Sequence, residues 1–179
     1  MIPSKCFFTK GAGTHRDKLA SFELALREAG IARYNLVEVS SIFPPGCEVV
    51  SVEDGLKLLK PGQIAFTVLA KSQTNDEADV SAAVGLALPK DTGGYGYLSE
   101  HHSLGEGGEV AGNYAEDLAA TMLATTLGID FDPNTAWDER KRAYEASGKI
   151  FRTQHIVESS RGTPDGSWTT AIAAAVFII

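Results

Sequence analysis

The sequence predicts one α+β domain over residues 1–179, built as a layered sandwich of strands and helices. Its 179 residues are enough for a sizeable core, and no Pro-, Gly- or Ser-rich linker divides them. Strand-like apolar runs alternate with helical periodicities along the chain. Because helical patterns flank the strands, we expect layers of helix to cover layers of sheet.

The first predicted element is a helix over residues 17–29. Asp17 suits its amino end, and Gly30 suits its carboxyl end as a left-handed cap. Glu23 lies on or beside the apolar stripe, where its carboxylate either needs a partner or reaches solvent at the edge. The stripe consists of Leu19, Phe22, Leu26 and Ala29.

The second predicted element is a strand over residues 34–41, which are rich in β-branched and aromatic side chains. Pro44 and Pro45 follow it with fixed φ, so the strand must end near Ser41. In a straight strand Asn35 and Ser41 would be about 20 Å apart, too far for one small ligand to contact both. Either another copy of the chain supplies one of these two residues, or the strand bends sharply.

The rest of the chain alternates between strand and helix patterns. Segment 80–88 fits both a strand and a helical stripe, and the turn residues after it favour a strand. The clearest helix covers residues 108–127 and ends at Gly128, and its predicted buried face consists of Ala111, Tyr114, Ala115, Leu118 and Met122. Further strands are predicted over 61–71, 95–101, 150–158 and 168–179, with a shorter helix over 134–144.

The composition argues against several classes of partner. The net charge is -7 without a basic cluster, so we expect no nucleic acid, and a cationic ligand suits the chain better. No apolar run is long enough to cross a bilayer, and the N-terminus lacks a secretory signal, so we expect no membrane contact and a cytoplasmic location.

Metal and disulfide sites are not predicted. Cys6 and Cys47 lie far apart in sequence and outside any Cys/His ligand pattern, which argues against a disulfide framework and a zinc site. His101 and His102 would point to opposite faces of a strand, so they could not bind one ion together.

The dipeptide Ser40-Ser41 is the main candidate for chemistry. Serines before prolines are common where a strand passes into a loop. A backbone held out of its relaxed geometry, however, also lets Ser41 Oγ attack the Ser40 carbonyl. The resulting ester can eliminate to dehydroalanine, which hydrolyses to ammonia and a pyruvoyl group. Residues 1–40 would then form a small chain, and residues 41–179 would carry a ketone cofactor.

The segment around this dipeptide resembles that of a known family. It reads Asn-Leu-x-x-x-Ser-Ser-Ile-x-Pro-Pro over residues 35–45, after Ala-Gly-Ile at 29–31 and before Pro-Lys-Asp at 89–91 and Gly-Tyr-Leu-Ser-Glu at 96–100. With these motifs the chain resembles the pyruvoyl-dependent arginine decarboxylases from about Phe22 to the C-terminal strand. The resemblance implies a single-domain αββα sandwich of the pyruvoyl-dependent decarboxylase type.

The same resemblance implies an activity. The chain would cleave itself between Ser40 and Ser41, and the pyruvoyl group derived from Ser41 would supply the electron sink that no unmodified side chain provides. The enzyme would convert L-arginine to agmatine and CO2, and the agmatine would serve polyamine biosynthesis or acid resistance. We also expect a homotrimer of cleaved protomers with active sites at the subunit interfaces.

Individual roles follow from the matched positions. Glu100 corresponds to the family's catalytic glutamate, which acts as general acid and returns a proton to the substrate. Family members have an acidic residue, usually Asp, at the position of Glu23, and it receives the substrate guanidinium. Because Glu is longer than Asp, another amino acid is an alternative substrate. Ser40 is expected to help position the substrate, and Asn35 to help position the substrate or the cleavage site. The alternative from another class is an unprocessed, non-catalytic paralogue that acts as a scaffold or regulator.

Overall fold

The computed structural model describes the backbone of residues 1–179 and every side chain except that of residue 151. Its helices are α1 (Lys18–Glu28), α2 (Val52–Lys57), α3 (Gly108–Thr126) and α4 (Trp137–Ala146). Its strands are β1 (Lys5–His15), β2 (Asn35–Glu38), β3 (Ile42–Phe43), β4 (Glu48–Val49), β5 (Ile64–Thr74), β6 (Asp79–Pro89), β7 (Gly96–Leu104), β8 (Ile150–Arg161) and β9 (Trp168–Ile178). The predicted α+β class is therefore confirmed.

The strands form two sheets. The five-stranded sheet has the order β2-β5-β9-β1-β4, and the four-stranded sheet has the order β3-β7-β6-β8. In the five-stranded sheet β9 runs antiparallel to both β1 and β5, whereas the edge strands β2 and β4 run parallel to their neighbours. In the four-stranded sheet β6 runs antiparallel to both β7 and β8.

Buried side chains form a core cluster that is shared by the two sheets, with Val68 and Ala173 from one and Val84 and Leu98 from the other. A second cluster joins the five-stranded sheet to α1 through residues such as Ala25. A third joins the four-stranded sheet to α3 and α4, and it consists of Ala87, Ala119, Ala120, Leu123, Ala124, Ile129, Tyr144 and Ile150. Each sheet thus has apolar contacts on both faces.

Helix α1 matches the predicted ends but not the whole predicted stripe. The Asp17 side chain accepts a hydrogen bond from the Ala20 N–H at 3.0 Å, and Gly30 has a φ of 76°, so both predicted caps are confirmed. Leu19, however, is 74% exposed. A Cβ on Gly11 of β1 would come within 2.4 Å of the Ala25 carbonyl oxygen. The helix lies so close to the strand that small residues form its contact.

Helix α3 shows the same effect more strongly. The prediction that Tyr114 and Leu118 belong to the buried face is wrong, because these side chains are 54% and 36% exposed. A Cβ on Gly85 of β6 would come within 2.2 Å of the Ala115 carbonyl oxygen. Small residues make this approach possible, and the fully buried ones are Ala111, Ala115, Ala119, Ala120 and Ala124.

The predicted strand over 34–41 is wrong in its second half. Strand β2 ends at Glu38, and the next strand, β3, begins at Ile42 in the other sheet. Strand β1 was not predicted at all, because its Gly11 and Gly13 are untypical of a strand interior. The remaining predicted helices and strands are present as α3, α4 and β5 to β9.

Within the described residues, none of the helices combines the length and apolar content needed to cross a membrane. The described side chains also contain no group of three or more His, Cys, Asp or Glu residues placed to hold a metal ion. Cys6 is buried and Cys47 is half-buried. Burial raises the pKa of both thiols, that of Cys47 to about 11. Both side chains therefore stay protonated at neutral pH.

Candidate active site

The peptide bond between Ser40 and Ser41 lies where the chain passes from one sheet to the other. Just before it, the Val39 N–H donates to the Thr67 carbonyl of the five-stranded sheet at 2.9 Å. Just after it, the Ser41 carbonyl accepts from the Leu98 N–H of the four-stranded sheet at 2.7 Å. The sharp bend that the sequence left open as an alternative is therefore present.

Ser41 is the central residue of a tight turn. The Ile42 N–H donates to the Ser40 carbonyl oxygen at 3.0 Å, which closes a ring over three residues. Because the φ of Ser41 is not positive, this is an inverse γ-turn. The chain after the turn is held in place, since Ile42 pairs with Tyr97 and Phe43 is buried in the core between the sheets.

Glu100 lies on the strand that anchors the turn. It follows Leu98 by two residues on β7, so the two side chains share a face of the strand and are about 7 Å apart along it. The residue is exposed at the edge of the single chain. Partial desolvation of the carboxylate raises its pKa, and the negative charge of Glu38 at the end of β2 raises it further. Glu38 was not predicted from the sequence as a site residue.

Glu23 lies elsewhere in the single chain. It is on α1, which packs mainly against β1 and β9. Its Oε1 accepts a hydrogen bond from the Arg27 Nε at 2.6 Å, one turn along the same helix. The carboxylate expected to receive a substrate guanidinium is thus paired with a guanidinium of its own chain.

Asn35 is also separated from Ser41. It begins β2, where its Nδ2 donates to the Gly62 carbonyl at 2.8 Å and its N–H donates to the Gln63 carbonyl at 2.9 Å. Four residues of extended chain, or about 13 Å, separate Asn35 from Val39 at the start of the bend. The structure therefore brings Ser40, Ser41 and Glu100 to one edge, but it does not bring Asn35 or Glu23 to them.

An apolar groove of about 490 Å³ runs beside the turn. The N-terminus contributes much of its apolar lining, with Met1 95% exposed and Ile2 74% exposed. The groove also includes Ser40, Ile42, Phe177 and Ile179. An exposed apolar surface of this kind is typical of a contact with another protein chain.

The residues around Ser41 fit a pyruvoyl group at that position. Such a group keeps the three-carbon skeleton and the main-chain carbonyl of the serine from which it is made. That carbonyl already accepts a hydrogen bond from the Leu98 N–H, an anchor that the modification leaves intact. The group would therefore need no more room than Ser41 already occupies.

Comparisons with known proteins cover nearly the whole chain. Residues 5–179 match the family described as pyruvoyl-dependent arginine decarboxylase. A pyruvoyl-dependent arginine decarboxylase from Methanococcoides burtonii is 58% identical over 180 residues, which cover 100% of both chains. A probable pyruvoyl-dependent arginine decarboxylase from Chlorobaculum tepidum is 61% identical over 178 residues, covering 99% of this chain and 98% of the relative. Pyruvoyl-dependent arginine decarboxylase 2 from Methanosarcina mazei is 58% identical over 179 residues, with the same coverage.

Proposed function

The chain belongs to the pyruvoyl-dependent arginine decarboxylase family, and from that premise we propose that it decarboxylates L-arginine to agmatine and CO2 with a pyruvoyl group made from Ser41. The observation that carries this proposal is the position of the Ser40–Ser41 bond. It lies in a tight turn between two sheets, anchored by the strand that also carries Glu100.

The pyruvoyl group is proposed to form by self-cleavage. Ser41 Oγ adds to the Ser40 carbonyl carbon, the bond from that carbon to the Ser41 nitrogen breaks, and the hydroxyl proton ends on the released nitrogen. The resulting ester loses the Ser41 Cα proton and its Cβ–Oγ bond, which frees the Ser40 carboxylate and leaves dehydroalanine. One water molecule then converts dehydroalanine to the ketone and releases ammonia. The cleaved chain retains residues 1–40 and 41–179 as separate polypeptides.

The fold supports cleavage without loss of the small chain. Residues 1–40 contain β1, which pairs with β9 along eleven consecutive positions from Lys5↔Ile178 to His15↔Trp168. They also contain α1, which packs on β1 and β9 through Ala25, and β2, which pairs with β5. We therefore expect the two products to stay associated after the covalent connection is lost.

When bound, the pyruvoyl group supplies an electron sink for the electrons released with CO2. The chain's own contribution is then to return a proton to the substrate Cα, and Glu100 is the proposed donor. Because its pKa is raised, a larger fraction of the Glu100 carboxyl is protonated near neutral pH than for an ordinary glutamate. Because the protonated form is the donor, turnover should fall as the pH rises through that raised pKa.

The assembly proposed is a homotrimer with active sites between protomers. The apolar groove beside Ser40 supports this, because a neighbouring protomer would cover Met1, Ile2 and Ile179. The separation of Glu23 and Asn35 from Ser41 within one chain also supports it. In this assembly the Glu23 and Asn35 that act on the substrate would belong to a different protomer from the Ser41 they serve.

The order of the layers is part of the same proposal. Core clusters join α1 to the five-stranded sheet, that sheet to the four-stranded sheet, and the four-stranded sheet to α3. We infer from this order the αββα sandwich that the family resemblance implies. A cytoplasmic location stays a prediction from the sequence.

The decisive test compares Ser41→Ala with Ser40→Ala. Denaturing mass spectrometry of the unaltered protein should show fragments of 40 and 139 residues, the larger carrying a carbonyl that reacts with hydrazines. Ser41→Ala should remain one inactive chain because it lacks the attacking hydroxyl, whereas Ser40→Ala keeps the scissile carbonyl and should still be cleaved. Normal decarboxylation by uncut Ser41→Ala would refute the proposed mechanism, as would a fully active wild-type protein that is a single unmodified chain.

A second candidate is the decarboxylation of another amino acid. The pairing of Glu23 with Arg27 favours it, because the carboxylate expected to select the substrate is already bound to a guanidinium. Turnover of arginine, lysine, ornithine and aspartate should be compared at equal concentration. A preference for any substrate other than arginine would replace the first proposal for the substrate and leave the cofactor chemistry intact.

A further inference from the structure

The turn at Ser41 places a hydrogen-bond donor on the oxygen of the bond that is to be cut. The Ser40 carbonyl oxygen accepts from the Ile42 N–H at 3.0 Å, although Ile42 lies on the far side of the scissile bond. The next carbonyl along the chain, that of Ser41, accepts instead from Leu98 of β7. The two main-chain carbonyls that flank the Ser41 nitrogen and Cα thus have separate donors.

We propose that the Ile42 N–H stabilises the negative charge that develops on the Ser40 oxygen during self-cleavage. This inference rests on the self-cleavage proposed above and assigns a main-chain group to its first step. When Ser41 Oγ bonds to the Ser40 carbonyl carbon, the π electron pair of that carbonyl moves onto its oxygen. A donor already in place on that oxygen lowers the barrier, because it needs no rearrangement when the charge appears.

Three contacts hold the donor in position. The Val39 N–H is bound to Thr67 on one side of the turn, and the Ser41 carbonyl is bound to Leu98 on the other. Phe43 is buried between the sheets and packs against Phe177, with ring centroids 6.2 Å apart. The residues before and after the scissile bond are therefore fixed to different sheets, and the turn between them cannot open freely.

The same contacts explain why the donor serves the cleavage and not the mature site. When the carbon–nitrogen bond breaks, the Ser40 carbonyl becomes part of the carboxyl end of the small chain. The Ile42 N–H and the Leu98 N–H stay with the large chain, and Leu98 still holds the Ser41 carbonyl. The hydrogen bond from Ile42 to Ser40 therefore acts once in the lifetime of each molecule.

The test removes this one N–H without changing a side chain. The bond Gly46-Cys47 is a suitable ligation junction, so a synthetic 1–46 segment with a C-terminal thioester, its Cys6 protected, can be joined to a recombinant 47–179 segment. In one product the backbone N–H of Ile42 is replaced by oxygen. The matched control carries the same replacement at Val39, which removes a hydrogen bond of nearly equal length, 2.9 Å to Thr67, but none on the Ser40 oxygen.

The readout is the rate at which fragments 1–40 and 41–179 appear after refolding, followed by denaturing mass spectrometry. The Ile42 replacement should slow cleavage roughly 100-fold, the loss typical of one donor to a developing oxyanion. The Val39 replacement should change the rate only a few-fold. Circular dichroism of both products should match that of the all-amide chain, so a slow rate would not reflect a failure to fold.

Three outcomes would overturn the inference. Cleavage of the Ile42 product at the rate of the all-amide chain would show that its N–H has no role. Equal slowing by the Val39 replacement would show that general support of the bend, and not the donor on the Ser40 oxygen, controls the rate. An all-amide chain that never cleaves would remove the proposed self-cleavage, and the inference with it.

Discussion

Two carboxylates of this protein, Glu100 and Glu116, have opposite surroundings and opposite pKa shifts. Glu116 on α3 is only 5% exposed and accepts hydrogen bonds from Lys141 at 2.8 Å, Thr153 at 2.7 Å and His155 at 2.7 Å. Its burial alone would raise its pKa, but the three donors outweigh the burial and the pKa is lowered. Glu100 is exposed at the sheet edge, and desolvation followed by the charge of Glu38 raises its pKa.

This difference separates a structural carboxylate from one suited to proton transfer. Glu116 joins three elements, since Lys141 belongs to α4 and both Thr153 and His155 belong to β8. A carboxylate with that many donors is held in its ionised form and has little tendency to take up a proton. The Glu100 carboxylate is instead partly desolvated and has a neighbouring like charge, and both raise its pKa toward the protonated form a general acid needs.

The largest predicted effect is the loss of catalysis when the Glu100 carboxyl is removed. Glu100→Gln should still cleave itself but should lose roughly 100-fold or more in kcat, because the proton donor is gone. The matched control is Glu106→Gln, which alters a carboxylate near the end of β7 that is paired with His101 at 3.0 Å. Its kcat should stay within a few-fold of wild type. Wild-type turnover by Glu100→Gln would remove Glu100 from the role of proton donor.

The next effect concerns stability. Glu116→Ala should lower the free energy of unfolding by about 3 kcal/mol, because Lys141 and His155 lose their shared buried partner. Urea unfolding would measure the loss. Glu145→Ala on the same helix as Lys141 removes an exposed carboxylate and should change stability by less than about 0.5 kcal/mol. Similar losses in both variants would contradict the structural role assigned to the Glu116 cluster.

A smaller effect should appear in the acid range. A carboxylate whose pKa is lowered by folding stabilises the protein above its unfolded pKa of about 4.3, and this stabilisation is lost as the pH falls through the folded value. Wild-type stability should therefore fall more steeply below about pH 4.3 than that of Glu116→Gln. Unfolding measured from pH 6 to pH 3 in both proteins would test this, and parallel curves would show that Glu116 does not contribute.

The smallest predicted effect is a shift in the pKa of Glu100, measured through the pH dependence of kcat. Glu38→Gln removes a negative charge that raises the pKa of Glu100, so that pKa should move down. The decline of kcat on the alkaline side should then occur at a lower pH, while kcat at acidic pH should stay close to that of wild type. Glu48→Gln, on β4 at the opposite edge of the same sheet, is the control. An unchanged pH profile for Glu38→Gln would mean that the two carboxylates do not interact.

Local sequence signals predicted most of the secondary structure but not how closely the layers approach. Asp17 and Gly30 were assigned as the ends of α1 because capping requires particular residue types. The predicted buried face of α3 is wrong because such a face is predicted from the spacing of large apolar residues. The sheet next to it has Gly85 directly against the backbone of Ala115, an approach that small residues on the helix make possible. A distance between layers of this kind depends on two distant parts of the chain at once.

The candidate site was predictable where it depends on side chains. Ser41 and Glu100 are predicted from motifs, and the structure places Ser41 in the turn just before β3 and Glu100 on the adjacent strand β7. The donors on either side of the scissile bond were not predictable, because the N–H groups of Ile42 and Leu98 are main-chain groups that every residue except proline carries. The change of sheets at Val39 to Ser41 brings the carbonyls of Ser40 and Ser41 to these donors.

The eleven-position ladder between β1 and β9 also bears on how this enzyme could be supplied in two pieces. Separately made segments 1–40 and 41–179 would carry all the pairing surfaces needed to assemble. They would nevertheless give an inert complex, since serine at a free amino terminus has no upstream acyl group to attack. Under the proposed self-cleavage, assembly and activation would be separable in this fold, and a molecule whose ketone is chemically destroyed would have no route to regenerate it.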